Sequence, residues 1–598
     1  MLSPRIPLFH HAVVLFLLSL SWIASQCVVV AAADQISLHD DKQTSTASSP
    51  LDDAFEEKVT WVLENFKIPG VAVSVVKGNE TFAKGYGLSD ISELIPVTEH
   101  THFVAGSTTK AFLSAAVSLL VDDNTSYPHI QWDTPIHRII PDDFILSDPW
   151  YTTHVTIEDA LSHRSGLPRH DLSWMFGNPN TTTLRDVVRK MRHLPLTEPI
   201  RTKFQYCNLM YATMAHLVEV VTGGKWLGDF LKERIWDPLG MKETYLSIED
   251  GRAAGVDISR GYRYKYKYKK ANHDDQTGTG PGGGDGEDGE YEDVGYDHWD
   301  YGRGAGMTLS SATDYAKWIR AMIERRPNAP LSPEGFTAVT SARSIAIPAI
   351  VPPETAPVTY GLGWKIHAYR GELFIEHQGA QPGFATLVAF LPNREFGVAV
   401  FCNNLVGGGG ATEVLVYHLI DEFLGIPVEE RVDWVKRAEI EISALSQISP
   451  DVLHNLYPAR PDPPLPLSLP ISAYEGIYVH PAYPTLNISA HCAKPSIFPE
   501  FPKPDFTNDK GASLQQPPSL CATICGSILA HTIEFRHVSG EFWLVARDFW
   551  GEHKATRAEF RVAPHGTVGE LGVEFEPTMK GEKIWFRRKL EDGSINLD

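Results

Sequence analysis

The sequence predicts an α+β protein that ends in a separate all-β region. Helical and strand-like patterns are mixed up to about residue 430, and several of the strands follow one another directly, as in antiparallel sheets. Short alternating segments dominate the C-terminal part of the chain. The chain has 598 residues, too many for a single compact core, so we expect two or three domains.

The elements of the first region follow from local residue patterns. Apolar residues at helical spacing predict a helix from about Leu51 to Phe66. The β-branched run Val71–Val76 predicts a buried strand, with Thr81–Gly87 as its hairpin partner. Other predicted elements are helices that begin at Ser107 and near Val155, a helix over Leu209–Thr222, and strands at Leu373–Glu376, Thr386–Leu391 and Phe396–Asn403.

Two stretches of unusual composition divide the chain. Residues 262–300 begin with Tyr alternating with Arg or Lys and continue into an acidic, Gly-rich run, which predicts an exposed strand or hairpin followed by a surface loop. Proline-rich residues 456–470 predict a stiff linker, and the segments beyond it predict a β-barrel or a β-sandwich. We therefore expect domains at 51–430 and 471–598, joined by a linker at 431–470.

The N-terminus has the pattern of a signal peptide. Arg5 supplies the positive start, residues 12–23 form an apolar stretch, and three alanines precede Asp34 as a cleavage site. The alternative is an uncleaved anchor, but the apolar run is short for a membrane span. We expect a signal peptide at 1–33, a disordered lead-in at 34–50, and a secreted, extracellular protein without stable membrane insertion.

Sequons and cysteines agree with an oxidising compartment. Cys207 and Cys402 lie in apolar surroundings and are expected to be free, buried thiols. One disulfide is expected within the C-terminal cluster of cysteines, and the sequence leaves the pair open among Cys492, Cys521 and Cys525. Glycosylation sequons, which only a eukaryotic host can use, begin at Asn79, Asn124, Asn180 and Asn487.

Several classes of partner are disfavoured. The formal net charge is −21, and a strongly acidic surface repels nucleic acid phosphates and anionic lipids, so we expect neither as a partner. His100 and His102 have the spacing of metal ligands, but no carboxylate or further His follows closely. No glycine pattern for dinucleotides or phosphates is evident, so we expect neither a metal nor a cofactor.

The first motif with chemical potential is Ser107-Thr108-Thr109-Lys110. Residues three apart lie on one face of a helix, so the Lys110 amine can reach the Ser107 hydroxyl. A serine hydroxyl needs a base, and a lysine can act as one only if burial or a neighbouring cation keeps it neutral. Alone, this short pattern would also arise from a capping serine followed by an exposed lysine.

The second motif is Tyr206-Cys207-Asn208, just before a predicted helix. In extended backbone, residues two apart face the same side, so the side chains of Tyr206 and Asn208 project together. Tyr206 can shuttle protons if its pKa is depressed, and the Asn208 amide can hold Lys110 and a substrate carbonyl. Capping and packing are the alternative roles for both residues.

The third motif is His377-Gln378-Gly379-Ala380, next to a predicted strand. Gly379 would let a substrate backbone lie close to the strand. The Ala380 N–H could join the Ser107 N–H as an oxyanion hole. A structural role is the alternative for His377.

Together, the three motifs occur in the order and rough spacing of those in class C-type β-lactamases and related penicillin-binding proteins. The match covers about 51–424, and the chain is identified as a secreted eukaryotic member, with a fungus as the expected source, of this superfamily of peptidase S12-type serine hydrolases. The flanking segments agree with this resemblance, namely Gly85-Tyr86-Gly87, Pro96-Val97-Thr98, Leu161–Pro168 and Gly304–Met307.

The resemblance implies a fold and a set of roles. The fold would be an antiparallel sheet flanked by helices, with a mainly helical lobe and the active site in between. Ser107 would form an acyl-enzyme, with Lys110 and Tyr206 as the base pair. The residues implied in binding the substrate or its oxyanion are Asn208, His377, Gly379 and Ala380.

The C-terminal region also resembles a known appendage. Its opening, Tyr474-Glu475-Gly476-Ile477-Tyr478, is similar to the start of the lipocalin-like domain of some peptidases of this superfamily. The resemblance implies that residues 471–598 form a small β-barrel.

The third motif of the family often begins with Lys, whereas this chain has His377. A neutral imidazole cannot supply the fixed charge that holds a carboxylate, which favours esterase or peptidase activity over efficient antibiotic hydrolysis. The expected substrate is a small ester, amide, lactone or peptide outside the cell. An acyltransferase of secondary metabolism on the same scaffold and a non-catalytic binding protein are the alternatives.

Overall fold

The computed structural model describes residues 49–178, 180–266, 289–296, 300–325, 329–446, 448–449, 451–492, 518–525, 532–549 and 552–590. The predicted signal peptide, most of the predicted lead-in and most of the 262–300 insert lie outside these residues. Among the described residues, no helix combines the length and apolarity needed to span a membrane.

The helices of the described chain, in order, are α1 (Asp53–Asn65), α2 (Thr109–Asp122), α3 (Pro149–His154), α4 (Ile157–Leu161), α5 (Leu184–Lys190), α6 (Asn208–Val221), α7 (Leu227–Leu231), α8 (Asp237–Leu239), α9 (Ile248–Ala253), α10 (Arg303–Gly306), α11 (Ala312–Glu324), α12 (Pro333–Thr340), α13 (Val406–Leu424), α14 (Trp434–Ser446) and α15 (Val452–Leu456). A short 3₁₀ helix, Gly106–Thr108, directly precedes α2.

The strands are β1 (Gly70–Lys77), β2 (Glu80–Asp90), β3 (Ile95–Pro96), β4 (Phe103–Val104), β5 (Tyr262–Tyr266), β6 (Gly289–Asp293), β7 (Leu309–Ser310), β8 (Ser344–Ile347), β9 (Val358–Tyr360), β10 (Lys365–Tyr369), β11 (Glu372–Gln381), β12 (Phe384–Leu391), β13 (Phe396–Cys402), β14 (Gly476–Val479), β15 (Leu486–Ser489), β16 (Ser519–Ile524), β17 (Thr532–Ser539), β18 (Phe542–Phe549), β19 (Glu552–Val562), β20 (Val568–Val573) and β21 (Ile584–Lys589).

A large antiparallel sheet divides the first region into two layers. In the described chain it has nine strands, in the order β3-β2-β1-β13-β12-β11-β10-β9-β8. Alternate residues of β1 enter different cores: Ala72 and Val76 belong to the core that includes α2, α6 and α11, whereas Val73 and its alternate neighbours belong to the core that includes α1 and α13. Burial on both faces explains why β1 is almost entirely apolar, with Ser74 as the polar exception before Lys77, and the predicted sheet flanked by helices is confirmed.

Helix α2 is the central element of the helical lobe. Every residue from Thr109 to Ser118 is buried, as expected for a helix made mostly of apolar and small residues. Hydroxyl groups fix its first turn: the Thr108 hydroxyl lies 2.7 Å from that of Tyr315, and the Thr109 hydroxyl donates to the Gly106 carbonyl at 2.7 Å. These contacts hold the turn that carries Ser107.

The C-terminal region is a closed barrel rather than a sandwich. Strands β14 to β21 pair antiparallel in sequence order, and β14 also pairs with β21 to close the ring. Buried aromatic side chains fill its interior, among them Tyr478, Trp543, Phe560 and Phe586. The predicted all-β domain is therefore a small antiparallel barrel.

Two predicted connections contain more structure than their composition indicates. Residues 431–470, predicted as a linker, include α14, and Trp434 of that helix stacks on Tyr417 at 3.8 Å between ring centroids. The insert begins with a strand, as predicted, but this strand, β5, pairs with β6, which lies in the stretch predicted to be a surface loop, and Tyr262 is buried rather than exposed. Both segments are held by aromatic packing, which composition alone does not reveal.

The cysteines behave largely as predicted. Cys207 and Cys402 are free and buried, and the C-terminal disulfide joins Cys492 to Cys521, with 5.6 Å between their Cα atoms. Cys525 is free and exposed. The sequon asparagines Asn79, Asn124, Asn180 and Asn487 are all exposed.

Replacing both Cys492 and Cys521 by Ala should destabilise the barrel by about 3.5 kcal/mol, because a cross-link across 29 positions restricts the unfolded chain. The effect can be measured by amide hydrogen exchange of the barrel strands, from which the free energy of opening is calculated. Cys525→Ala is the matched control and should leave exchange unchanged. Comparable destabilisation by Cys525→Ala would contradict the observed pairing.

Candidate active site

The three sequence motifs meet at the N-terminal end of α2. Ser107 lies in the 3₁₀ turn before α2, Asn208 begins α6, and His377 to Ala380 lie on β11. The Tyr206 and His377 ring centroids are 6.3 Å apart, and the Lys110 Nζ is 4.8 Å from the Tyr206 ring centroid. Side chains separated by up to 270 positions in the sequence therefore share one site.

Two glycines allow the backbone of β11 to lie against Ser107. Gly106 has a φ of 56°, and a Cβ there would stand 2.5 Å from the Ala380 nitrogen. A Cβ on Gly379 would stand 2.1 Å from the Ala105 carbonyl oxygen and 3.3 Å from the Ser107 nitrogen. The backbone of β11 next to Ala380 is thus packed against the turn of Ser107 as closely as glycine permits.

The Lys110 amine is fully buried and faces Ser107. Its Nζ donates to the Ser107 Oγ at 3.0 Å and to the Ala305 carbonyl oxygen at 2.7 Å. Burial lowers the pKa of Lys110 well below its usual value, and the charge of Arg169 lowers it further, against smaller opposing effects of Asp171 and Cys207. The amine is therefore biased towards the neutral form that can accept a proton.

Tyr206 has a raised pKa rather than a depressed one. Burial raises the pKa of the phenol, and a hydrogen bond with Ser107 and the charge of Arg169 only partly offset this. Tyr206 therefore keeps its proton at neutral pH. In the free protein it can relay or donate a proton, and Lys110 is the group suited to accept one.

Asn208 contacts a carboxylate instead of the expected lysine. Its Nδ2 donates to the Asp171 Oδ1 at 2.9 Å, and Asp171 also accepts from the Arg169 Nε at 2.6 Å and from the Trp174 Nε1 at 3.2 Å. Lys110, in turn, takes the Ala305 carbonyl as its second acceptor. Asn208 thus holds Asp171 by a hydrogen bond, and Asp171 in turn pairs with Arg169.

His377 is neutral and held by hydrogen bonds. Its Nδ1 donates to the Gln378 carbonyl oxygen at 2.6 Å, so its Nε2 accepts from the Tyr360 hydroxyl at 3.0 Å. Burial, together with the charges of Lys110 and Lys365, lowers the pKa of His377 to about 3. The imidazole therefore carries no charge at neutral pH, in agreement with the sequence analysis.

Sequence reasoning missed the residues behind Tyr206. His163 lies with its ring centroid 4.2 Å from that of Tyr206, and its Nδ1 accepts from the Cys207 N–H at 3.0 Å. The Tyr211 and Tyr360 rings lie 5.1 Å and 4.9 Å from His163. His163 falls in the Leu161–Pro168 segment, which the family resemblance singled out without assigning it a role.

A half-exposed cation at the site was also missed. The Arg169 guanidinium lies 4.9 Å from the Tyr206 ring centroid and is paired with Asp171. It follows the Leu161–Pro168 segment directly, but nothing in the spacing placed it near Ser107. Within the part of the chain that the structure describes, no group of three or more His, Cys, Asp or Glu side chains could hold a metal ion.

Comparisons with known proteins agree with this fold. The β-lactamase family model matches residues 51–419. The chain is 38% identical over 550 residues to an unguisins hydrolase, ungD', of Aspergillus campestris, covering 92% of this chain and 94% of the relative. It is 35% identical to the unguisins hydrolase ungD of Aspergillus violaceofuscus, covering 92% and 93%.

A solved structure supports the fold. The octameric penicillin-binding protein homologue from Pyrococcus abyssi superposes with a TM-score of 0.52 at 18% identity, covering 89% of this chain and 99% of that one. The family match and the Aspergillus relatives show that this chain belongs to the β-lactamase family. It is a serine hydrolase of the β-lactamase type, with homologues in fungi.

Gly379→Ala should slow acylation of Ser107 about 100-fold, since its Cβ would collide with the Ala105 carbonyl and shift the nucleophile by a fraction of an ångström or more. Stopped-flow kinetics with an acylating ester measures the rate. Gly409→Ala, where a Cβ meets only open space within α13, is the matched control and should leave the rate unchanged. Equal rates for Gly379→Ala and the wild type would contradict the close approach.

Proposed function

We propose that this protein is a secreted hydrolase that acts through an acyl-enzyme on Ser107. The observation that carries the proposal is the contact between the buried Lys110 amine and the Ser107 hydroxyl. An amine kept neutral by burial, at hydrogen-bond distance from a serine, is a general base beside a nucleophile. The two relatives named unguisins hydrolases agree with a hydrolytic reaction.

Acylation follows from the positions of these groups. The neutral Lys110 amine takes the Ser107 proton while the Oγ forms a bond to the substrate carbonyl carbon. The N–H groups of Ser107 and Ala380 would donate hydrogen bonds to the developing oxyanion. Collapse of this intermediate breaks the bond to the leaving group, which receives the proton from Lys110 directly or through the protonated Tyr206.

Deacylation runs through the same groups in reverse. A water molecule gives its proton to the neutral amine of Lys110 and attacks the acyl carbon. The bond to the Ser107 Oγ then breaks, and the oxygen regains a proton from Lys110. Asn208, Gly379 and His377 would line the acyl group, with Asn208 held in place by Asp171.

The substrate class follows from the relatives and from His377. Two relatives that match over more than nine-tenths of the chain are named unguisins hydrolases, so we propose an unguisin or a similar small molecule or peptide as substrate. The neutral His377 supplies no fixed charge for a carboxylate. This favours esterase or peptidase chemistry over efficient penicillin hydrolysis.

Ser107→Ala should lower the hydrolysis rate at least 1000-fold and abolish covalent labelling, because no other group replaces the attacking Oγ. Intact-mass analysis after mixing with a fluorophosphonate, a p-nitrophenyl ester, a penicillin or an unguisin measures labelling, and chromatography of the unguisin measures turnover. Ser118→Ala, which changes a buried serine on α2, is the matched control. Turnover by Ser107→Ala at the wild-type rate would contradict the proposal that Ser107 forms an acyl-enzyme.

The same assay separates a hydrolase from an acyltransferase. With an added amine or alcohol, a hydrolase still delivers the acyl group mainly to water. We expect this result, because the two relatives are named hydrolases. Predominant transfer to the added nucleophile would instead support the acyltransferase.

Secretion is part of the proposal. A disulfide is compatible with an oxidising compartment, and the four exposed sequon asparagines are accessible for glycosylation. We expect the mature protein from its native host to begin at Asp34 and to lose mass on treatment with an N-glycosidase. N-terminal sequencing and mass spectrometry measure both, and an intact Met1 with no glycan would contradict secretion.

A further inference from the structure

The C-terminal barrel contacts a short segment beside the active site. We call residues Arg169, His170 and Asp171 the shoulder segment. The His170 backbone N–H donates to the Glu576 Oε2 at 2.8 Å, and the His170 Nδ1 lies 2.8 Å from the Tyr483 hydroxyl. Tyr483 and Glu576 belong to barrel loops, more than 300 positions away in the sequence.

The hydrogen-bond partners of the His170 ring determine which of its nitrogens carries the proton. The His170 Nε2 lies 2.9 Å from the Pro195 carbonyl oxygen, which can only accept, so Nε2 carries the proton. The Nδ1 therefore accepts from the Tyr483 hydroxyl. Burial lowers the pKa of His170 and raises that of Tyr483, so both groups stay neutral in this arrangement.

The barrel contacts hold His170 in an uncommon backbone conformation. Its φ is 44°, in the left-handed region that residues with a Cβ rarely adopt. His170, Tyr483 and Glu576 are all buried. Glu576 is well suited to this position, because its Oε2 accepts from His170 and its Oε1 accepts from the backbone and hydroxyl of Thr578.

The residues on either side of His170 reach the catalytic groups. On one side, Arg169 places its guanidinium 4.9 Å from the Tyr206 ring centroid. On the other side, Asp171 accepts from the Asn208 amide. Turning His170 out of its conformation would move both flanking side chains, because a change in φ or ψ redirects the adjoining chain.

We propose that Tyr483 and Glu576 are positioning residues for the Ser107 site: by holding His170, they fix Arg169 against Tyr206 and Asp171 against Asn208. The barrel is then a working part of the active site rather than a separate appendage. The expected effect on the reaction rate rests on the proposed acyl-enzyme at Ser107. The contacts between the barrel and the shoulder segment do not depend on that proposal.

The charge of Arg169 gives the proposal a measurable signature. Arg169 lowers the pKa of Lys110 more than Asp171 raises it, so loosening the shoulder segment raises the pKa of Lys110. Acylation needs neutral Lys110, so the acidic limb of the pH–rate profile moves to higher pH. The titratable and charged groups around Lys110 are Arg169, Asp171, Tyr206, Cys207, Tyr211, His163 and His377.

The variants are Tyr483→Phe, Glu576→Gln and the two combined. Tyr483→Phe removes the donor to the His170 Nδ1. In the native protein both carboxylate oxygens of Glu576 accept hydrogen bonds, one from His170 and one from Thr578. In Glu576→Gln one of these oxygens becomes an NH₂ group, which cannot accept and therefore loses one of the two hydrogen bonds. Glu570→Gln, which removes a charge paired with Arg561 elsewhere on the barrel, is the matched control.

The experiment measures acylation of Ser107 by a p-nitrophenyl ester against pH, together with hydrogen exchange of residues 167–174, on the full chain. We expect the double variant to acylate at least tenfold more slowly at neutral pH, with its acidic limb at higher pH and faster exchange in that peptide. The control should match the wild type in all three readouts.

The outcomes separate this inference from the proposed function. If the wild type acylates Ser107 and the double variant keeps its rate, its pH limb and its exchange, the positioning role is wrong. A lower rate with an unshifted limb and unchanged exchange would also overturn it. If the wild type shows no acylation, the proposed function fails, and the exchange alone decides whether the barrel holds the shoulder segment.

Discussion

The site depends on one constraint, the burial of an ionisable amine beside a serine. Lys110 Nζ is shielded from water, lies 3.0 Å from the Ser107 Oγ, and sits over the rings of Tyr206 and Tyr211. Burial disfavours the ammonium form, and Arg169 adds repulsion. The environment that makes the charged form unfavourable therefore favours the neutral amine, which is the form that the proposed base requires.

The surrounding helices, the sheet and the barrel all contribute contacts around Lys110 and Ser107. Helix α2 consists mostly of apolar and small residues, so it can be buried on all sides. Threonine hydroxyls and β11 contact the turn at its start. The central strands of the sheet are buried on both faces, and β11 meets the turn of Ser107 at Gly379. The barrel adds a further support, through His170, to the side of the site that carries Arg169.

Much of the fold and site could be predicted because the signals are local. The spacing of Ser107 and Lys110 on one helix face, and the alternating barrel strands, are visible in the sequence alone. The partners that arise from tertiary packing are not: His163, Arg169 and the Glu576 contact come together only in the folded chain. The direction of the Tyr206 pKa depends on burial, and the choice of Cys521 as the partner of Cys492 depends on strand register, so neither was accessible from spacing.

The ionisation of Lys110 is the central claim and can be measured directly. We would label the protein with lysine enriched in ¹³C at Cε, assign the Lys110 resonance with Lys110→Arg, and titrate it by NMR. The account predicts a midpoint well below the usual lysine value of 10.5, with Lys110 standing apart from the exposed lysines. A midpoint at the value of the exposed lysines would show that the amine is charged at neutral pH, and would contradict its role as the base for Ser107.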